Sequence, residues 1–149
     1  MPSFHHDLVI RSSKGRPIAV IEVKNIQNLS RDEATAIRQD LFDYGFTSQV
    51  PYFLLLSQEV GFMWEESKLK NPEAPPTYEF PMDKVVTRYL RRNPGRRLYG
   101  EELEILLLRW LINLTTEMQQ ATEEPEKTLS RSGFNESIKG AEVLLEEAV

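Results

Sequence analysis

The chain begins with two short apolar runs, Asp7-Leu-Val-Ile10 and Pro17-Ile-Ala-Val-Ile-Glu-Val-Lys24, separated by Ser12-Ser-Lys-Gly-Arg16. The runs are rich in β-branched residues, and the separator has a turn composition in which Gly15 is free to take positive φ. Together they predict an antiparallel hairpin. With Ser13 to Arg16 as the loop, Ser12 pairs with Pro17, and counting back sets Asp7 opposite Glu22. Lys24 lies two residues on and points to the same face as Glu22. Next comes Ser30-Arg-Asp-Glu33, a capping box. It opens a helix over about residues 31 to 44, with Ala34, Ile37, Leu41 and Tyr44 on its buried side and Gly45 at its end. The unbroken apolar run from Val50 to Ser57 predicts a central strand. Gly61-Phe-Met-Trp64 follows as its hairpin partner, placing Phe62 and Trp64 in the core.

Residues 66 to 77 contain Pro72, Pro75 and Pro76 and predict a loop. Asp83 caps a basic helix that breaks at Asn93-Pro94-Gly95. A long helix is expected from about Gly100 to Met118. Leu103, Leu106, Leu107, Trp110, Leu111 and Leu114, with Ile105, Leu108 and Ile112, wrap most of its circumference. Such a helix is buried on more than one side. It therefore calls for a second covering surface, either the C-terminal segment or another subunit in a homodimer. Residues 119–133 have a polar, linker-like composition. Residues 134–148 predict a short acidic amphipathic helix through Ile138, Ala141, Leu144 and Leu145, docked on the long helix in cis or on a partner. The expected organisation is an α/β domain over 1–118, a linker over 119–133 and a docking helix over 134–149.

Composition suits one domain with a real core. The chain has 149 residues, 40% of them hydrophobic and 28% charged. There is no cysteine, so disulfides and thiolate zinc sites are excluded; this fits a cytoplasmic setting. The N-terminal Met-Pro-Ser-Phe-His-His has no signal-peptide pattern. No apolar run, that from Ile105 to Leu108 included, is long enough to span a bilayer, so no membrane partner is expected.

The net charge of −5 is unevenly spread. Residues 1–116 carry 15 basic and 15 acidic side chains, whereas residues 117–149 carry 3 and 8. Within the neutral part, Lys84, Arg88, Arg91, Arg92, Arg96 and Arg97 form a basic segment with no acidic residue. Lys84, Arg88 and Arg91 follow i, i+4, i+7 spacing, with Val85, Val86, Tyr89 and Leu90 facing the other way. Such a stripe is a candidate phosphate-tracking surface for DNA; its alternative is a solvated helix face. The acidic tail is a candidate partner-docking element, or an intramolecular mask over the stripe.

Two carboxylates and an ammonium at the end of an apolar strand would be destabilising unless something bound them. A divalent cation would. Asp7 with Leu8-Val-Ile10, the hairpin, Glu22-Val23-Lys24, a helix and then an apolar strand together resemble the PD-(D/E)xK nuclease superfamily. The similarity covers roughly residues 5 to 65 and is closest to the nuclease domains of type I restriction subunits. It implies a restriction-endonuclease-like α/β fold: a mixed β-sheet core of hairpin, crossover helix, central strand and second hairpin, followed by a C-terminal helical part. It also implies Mg²⁺- or Mn²⁺-dependent hydrolysis of phosphodiester bonds. Asp7, Glu22 and the Val23 carbonyl would ligate the metal, and Lys24 would orient or deprotonate the attacking water. Mg²⁺ prefers oxygen ligands and keeps several waters. A lysine beside it can stabilise the transition state, and its depressed pKa would suit proton transfer. Arg38 and Gln39 on the crossover helix are the candidates for supporting the site or contacting nucleic acid.

The chain departs from the family pattern at three points, one being that Gln39 and Tyr44 stand five apart and so miss the Gln-x-x-x-Tyr motif of the RecB-like branch. His6 stands where the family has proline. Six residues precede Asp7, so the family's first helix, which often carries another acidic residue, and the strand after it are expected to be absent or supplied from elsewhere. Two function classes follow: a metal-dependent nuclease, and a catalytically inactive module of the same fold that binds nucleic acid or a protein partner.

Overall fold

The structure is a computed structural model that describes residues 7–44, 50–69, 71–90, 96–116 and 122–145. His5, His6, Gly45, Arg91, Arg92 and the Asn93-Pro94-Gly95 break lie outside the described residues.

The expected hairpin is strand β1 (Leu8–Arg11) and strand β2 (Pro17–Val23), paired antiparallel. Gly15 takes φ +82° in the turn, a conformation glycine adopts without steric cost. Helix α1 (Arg31–Asp43) starts at the Ser30 cap, where both hydrogen bonds of the capping box are formed. It leads to strand β3 (Tyr52–Leu56), which lies parallel to β2. Strand β4 (Val60–Glu65) then pairs antiparallel with β3.

Strand β5 (Tyr78–Pro81) adds to β4 and was not expected from the proline-rich composition before it. Helix α2 (Asp83–Tyr89) is followed by helix α3 (Gly100–Thr116). Met82, rather than Asp83, occupies the cap of α2.

The C-terminal part differs most from expectation. The linker-like stretch carries helix α4 (Glu126–Arg131), whose Leu129 is fully buried. The expected 134–148 helix is instead a short helix α5 (Phe134–Ser137) and a strand β6 (Glu142–Leu145). Gly140 at φ +73° separates the two. β6 pairs antiparallel with β1, giving one six-stranded mixed sheet of order β5-β4-β3-β2-β1-β6. Residues 126–145 thus pack against the same sheet and core.

Alternation along the strands divides the core. Leu8, Ile10, Ala19, Ile21, Leu54, Leu56 and Met63 pack with α2, α3, α4 and α5 on one face. Val9, Val20, Phe53, Leu55, Phe62 and Trp64 pack with α1 on the other. Gly61 lets β5 approach, since a Cβ there would run into the Phe80 ring. The second surface expected for α3 is supplied in cis: Leu129, Phe134 and Ile138 join the cluster that buries Leu103, Leu107, Trp110 and Leu111. Ile105 and Ile112 stay exposed. Among the described residues no helix is long and apolar enough to cross a membrane.

Candidate functional site

The β1–β2 ladder pairs Leu8 with Ile21, Val9 with Val20 and Ile10 with Ala19. Continued by one residue, this register sets Asp7 across from Glu22, as the hairpin count predicted. The other end differs: a shift after Ile10 pairs Arg11 with Pro17, and the Ser12 N–H donates to the Arg16 carbonyl.

Asp7 Oδ2 accepts the Val23 N–H at 2.7 Å. That N–H lies two residues beyond Ile21, the last paired residue of β2 in the hairpin, so the carboxylate takes the place of a strand carbonyl. Asp7 is therefore anchored to the very residue whose carbonyl is the third candidate ligand. Glu22 is buried, with 5% exposure. Lys24 is half-buried, and its backbone N–H donates to Leu56 O on β3 at 2.9 Å.

A third carboxylate approaches from α3. Burial raises the Glu104 pKa above its ordinary value, and the charges of Asp7, Glu101 and Glu22 push it the same way. Glu104 thus shares the electrostatic environment of the strand-end pair. The sequence held one signal for it: an acidic residue early in a helix whose neighbours Leu103, Leu106 and Leu107 are core.

The carboxyl ends of the parallel strands β2 and β3 are tied to the segment that enters α3. Asn25 Nδ2 donates to Leu98 O at 2.8 Å. Gln58 Nε2 donates to Arg96 O at 2.7 Å, and its Oε1 accepts the Leu98 N–H at 3.0 Å. Glu102 accepts from the Tyr99 N–H and from the Arg96 guanidinium. In open α/β sheets the crevice beyond the carboxyl ends of parallel strands is the usual ligand position. Asp7, Glu22, Lys24 and Glu104 belong to that end of the sheet.

The basic segment does not form the open stripe that was expected. Arg88 makes a two-pronged ion pair with Glu126 (2.7 and 3.0 Å), whose Oε2 also accepts the Trp110 indole N–H. Arg96 pairs with Glu102 and Arg97 with Glu59. Lys84 is exposed on α2. Arg91 and Arg92 lie outside the described residues, and α2 ends before them.

Arg38 is corrected outright as a ligand-contacting residue. It is fully buried, pairs with Glu66 through Nε (2.9 Å) and Nη2 (2.7 Å), and donates to Asn71 O and Pro72 O. Its guanidinium also lies over the rings of Phe42 and Trp64. It supports the fold. Gln39 is exposed on α1. Tyr44, expected on the buried side, is 78% exposed.

The donor set at the strand end is all oxygen: two carboxylates and a backbone carbonyl, with Glu104 near. That chemistry fits a hard cation, which often takes only one or two carboxylates and keeps waters. A preassembled group of three such side chains is not present among the described residues. No protein-family model, curated protein or solved structure matches the chain.

Proposed function

We propose that the protein is a metal-dependent nuclease that hydrolyses DNA phosphodiester bonds, built on a restriction-endonuclease-like core. The observation that carries this is the hairpin register. It sets Asp7 across from Glu22, with Lys24 two residues on, at the carboxyl end of the first of two adjacent parallel strands. The chain order of hairpin, crossover helix, parallel strand and second hairpin agrees with it. Strand β6 and helix α3 would stand in for the strand and helix that the family places before its aspartate. β6 lies beside β1, and α3 brings Glu104 toward Asp7 and Glu22.

Asp7 and Glu22 would hold Mg²⁺ or Mn²⁺ with the Val23 carbonyl, Glu104 adding negative charge nearby. When such an ion is bound, the chemistry it supplies is charge neutralisation on the scissile phosphate and a lowered pKa for coordinated water. Asp7 can serve both its backbone donor and a cation, because an ionised carboxylate offers about four lone-pair sites. Burial of Glu22 limits competing water. Lys24 would place an ammonium beside the phosphate, stabilising charge that develops in the transition state.

Glu22→Ala and Lys24→Ala are each expected to abolish Mg²⁺-dependent cleavage while circular dichroism and thermal melting stay native-like. Cleavage retained by either would overturn the assignment. Calorimetric titration of the wild type with Mg²⁺ or Mn²⁺ should show saturable binding that Glu22→Ala loses.

One observation favours the second class, an inactive module of this fold. Asp7 already has a structural task at Val23, and Arg88, Arg96 and Arg97 are all paired within the chain. A folded wild type that binds no metal would select that class.

A further inference from the structure

Two tyrosines are 78% exposed, Tyr44 and Tyr99. Their positions are not equivalent. Tyr44 ends α1, the crossover from β2 to β3, and so lies at the opposite end of the sheet from Lys24. Tyr99 lies at the carboxyl ends of β2 and β3, one residue after Leu98. Leu98 is held on both sides, its carbonyl by Asn25 and its N–H by Gln58. Asn25 is the immediate neighbour of Lys24.

The mount is rigid. Leu98 is itself buried at 3% exposure, Tyr99 N–H donates to Glu102, and Tyr99 O accepts the Leu103 N–H as α3 begins. Five hydrogen bonds thus fix the backbone from Arg96 to Tyr99, while the phenol ring is left in solvent. Arg96 sits close enough to Tyr99 to feel it electrostatically and is 38% exposed at its side chain. An exposed aromatic ring beside a guanidinium is the pairing that single-strand binders use: the ring stacks on a base and the cation follows the backbone.

We propose that Tyr99 is a stacking platform for an unpaired nucleobase next to the phosphate at Lys24, so that the substrate is single-stranded DNA or a strand end that has come unpaired. This rests on the nuclease assignment of the same strand end. In a duplex the faces of interior bases are covered by their neighbours, so Tyr99 has nothing to stack on. Arg96 would exchange its Glu102 partner for a phosphate as the strand enters.

The test is fluorescence polarisation in EDTA, with a labelled 12-nucleotide oligothymidylate and a blunt duplex of equal length, on wild type, Tyr99→Ala and Tyr99→Phe. The expected result is a preference for the single strand that Tyr99→Ala weakens by roughly tenfold. Tyr99→Phe and duplex binding should be nearly unchanged. Equal affinity of Tyr99→Ala and wild type for the single strand overturns the proposal, as does a wild type that prefers duplex or binds neither. Because EDTA removes catalysis, failure of the nuclease assignment is seen separately. Tyr99-dependent binding without cleavage in Mg²⁺ overturns only the chemistry. Cleavage with strand preference untouched by Tyr99→Ala overturns only the platform.

Discussion

Charge is taken out of water at two places beside this sheet, and the two are built in opposite ways. At Arg38 and Glu66 both side chains are fully buried, yet opposite charges meet in a two-pronged pair. The two N–H groups of Arg38 Nη1 go to the Asn71 and Pro72 carbonyls. At the strand end, Asp7, Glu22 and Glu104 bring like charges into one region beside the single ammonium of Lys24, and Glu104, raised first by burial, is pushed further up by those charges. A cluster of opposite charges is complete without a ligand. A cluster of like charges becomes more favourable when a cation arrives. The first holds the fold; the second is the place where binding has something to gain.

The contrast breaks most forcefully at Arg38. Arg38→Ala leaves Glu66 buried without its guanidinium and should cost about 3–5 kcal/mol, read as a lower urea midpoint at unchanged slope. A variant within 1 kcal/mol of wild type would mean that the pair is not holding the loop of residues 71–72.

Asp7 separates structure from chemistry more finely. Asp7→Ala orphans the Val23 N–H and should cost about 1–3 kcal/mol. Asp7→Asn keeps an oxygen acceptor there but loses the charge, so its stability should stay close to wild type while Mg²⁺ binding disappears. Metal binding that survives in Asp7→Asn would remove Asp7 from the ligand set.

Glu126 is the intermediate case and gives the smallest effect. Burial raises its pKa, but hydrogen bonds from Arg88 and Trp110 outweigh that and leave it below the ordinary 4.5. A depressed carboxyl contributes stability above its unfolded pKa and loses it as pH falls through the folded value. The melting difference between wild type and Glu126→Gln should therefore be constant from neutral pH to about pH 5.5 and close below about pH 4.5. A difference that grows toward low pH would reverse the sign assigned to this contact.

The part of the molecule legible in the sequence was local. The hairpin register followed from Gly15 and from period-two alternation. Helix α1 followed from Ser30 and Glu33, and β4 from its spacing after β3. What escaped depended on distant partners. Arg38 looked like helix surface because Glu66 lies 28 residues away. The basic stripe looked open because Arg88 meets Glu126, 38 residues on. The one local mark of Glu104, an acidic residue early in an apolar helix, could not give its place, since only tertiary packing carries α3 to the strand end. β6 was misread because Ile138, Ala141, Leu144 and Leu145 also satisfy a helical period. Gly140, at positive φ, was the one residue in that stretch that argued against a helix.

The pairing of β1 with β6 has a consequence for the making of the molecule. Leu8 pairs with Leu145, so the strand that follows Asp7 receives its outer neighbour only once residues 142–145 are available. During synthesis the Leu8–Arg11 edge of the β1–β2 hairpin remains an open template for foreign strands until residues 142–145 leave the ribosome. Such long-range closure slows folding, because the entropy of a large loop is spent before the contact forms. A ribosome stalled before residue 142 would therefore carry a nascent chain with the hairpin but without β6 on its edge.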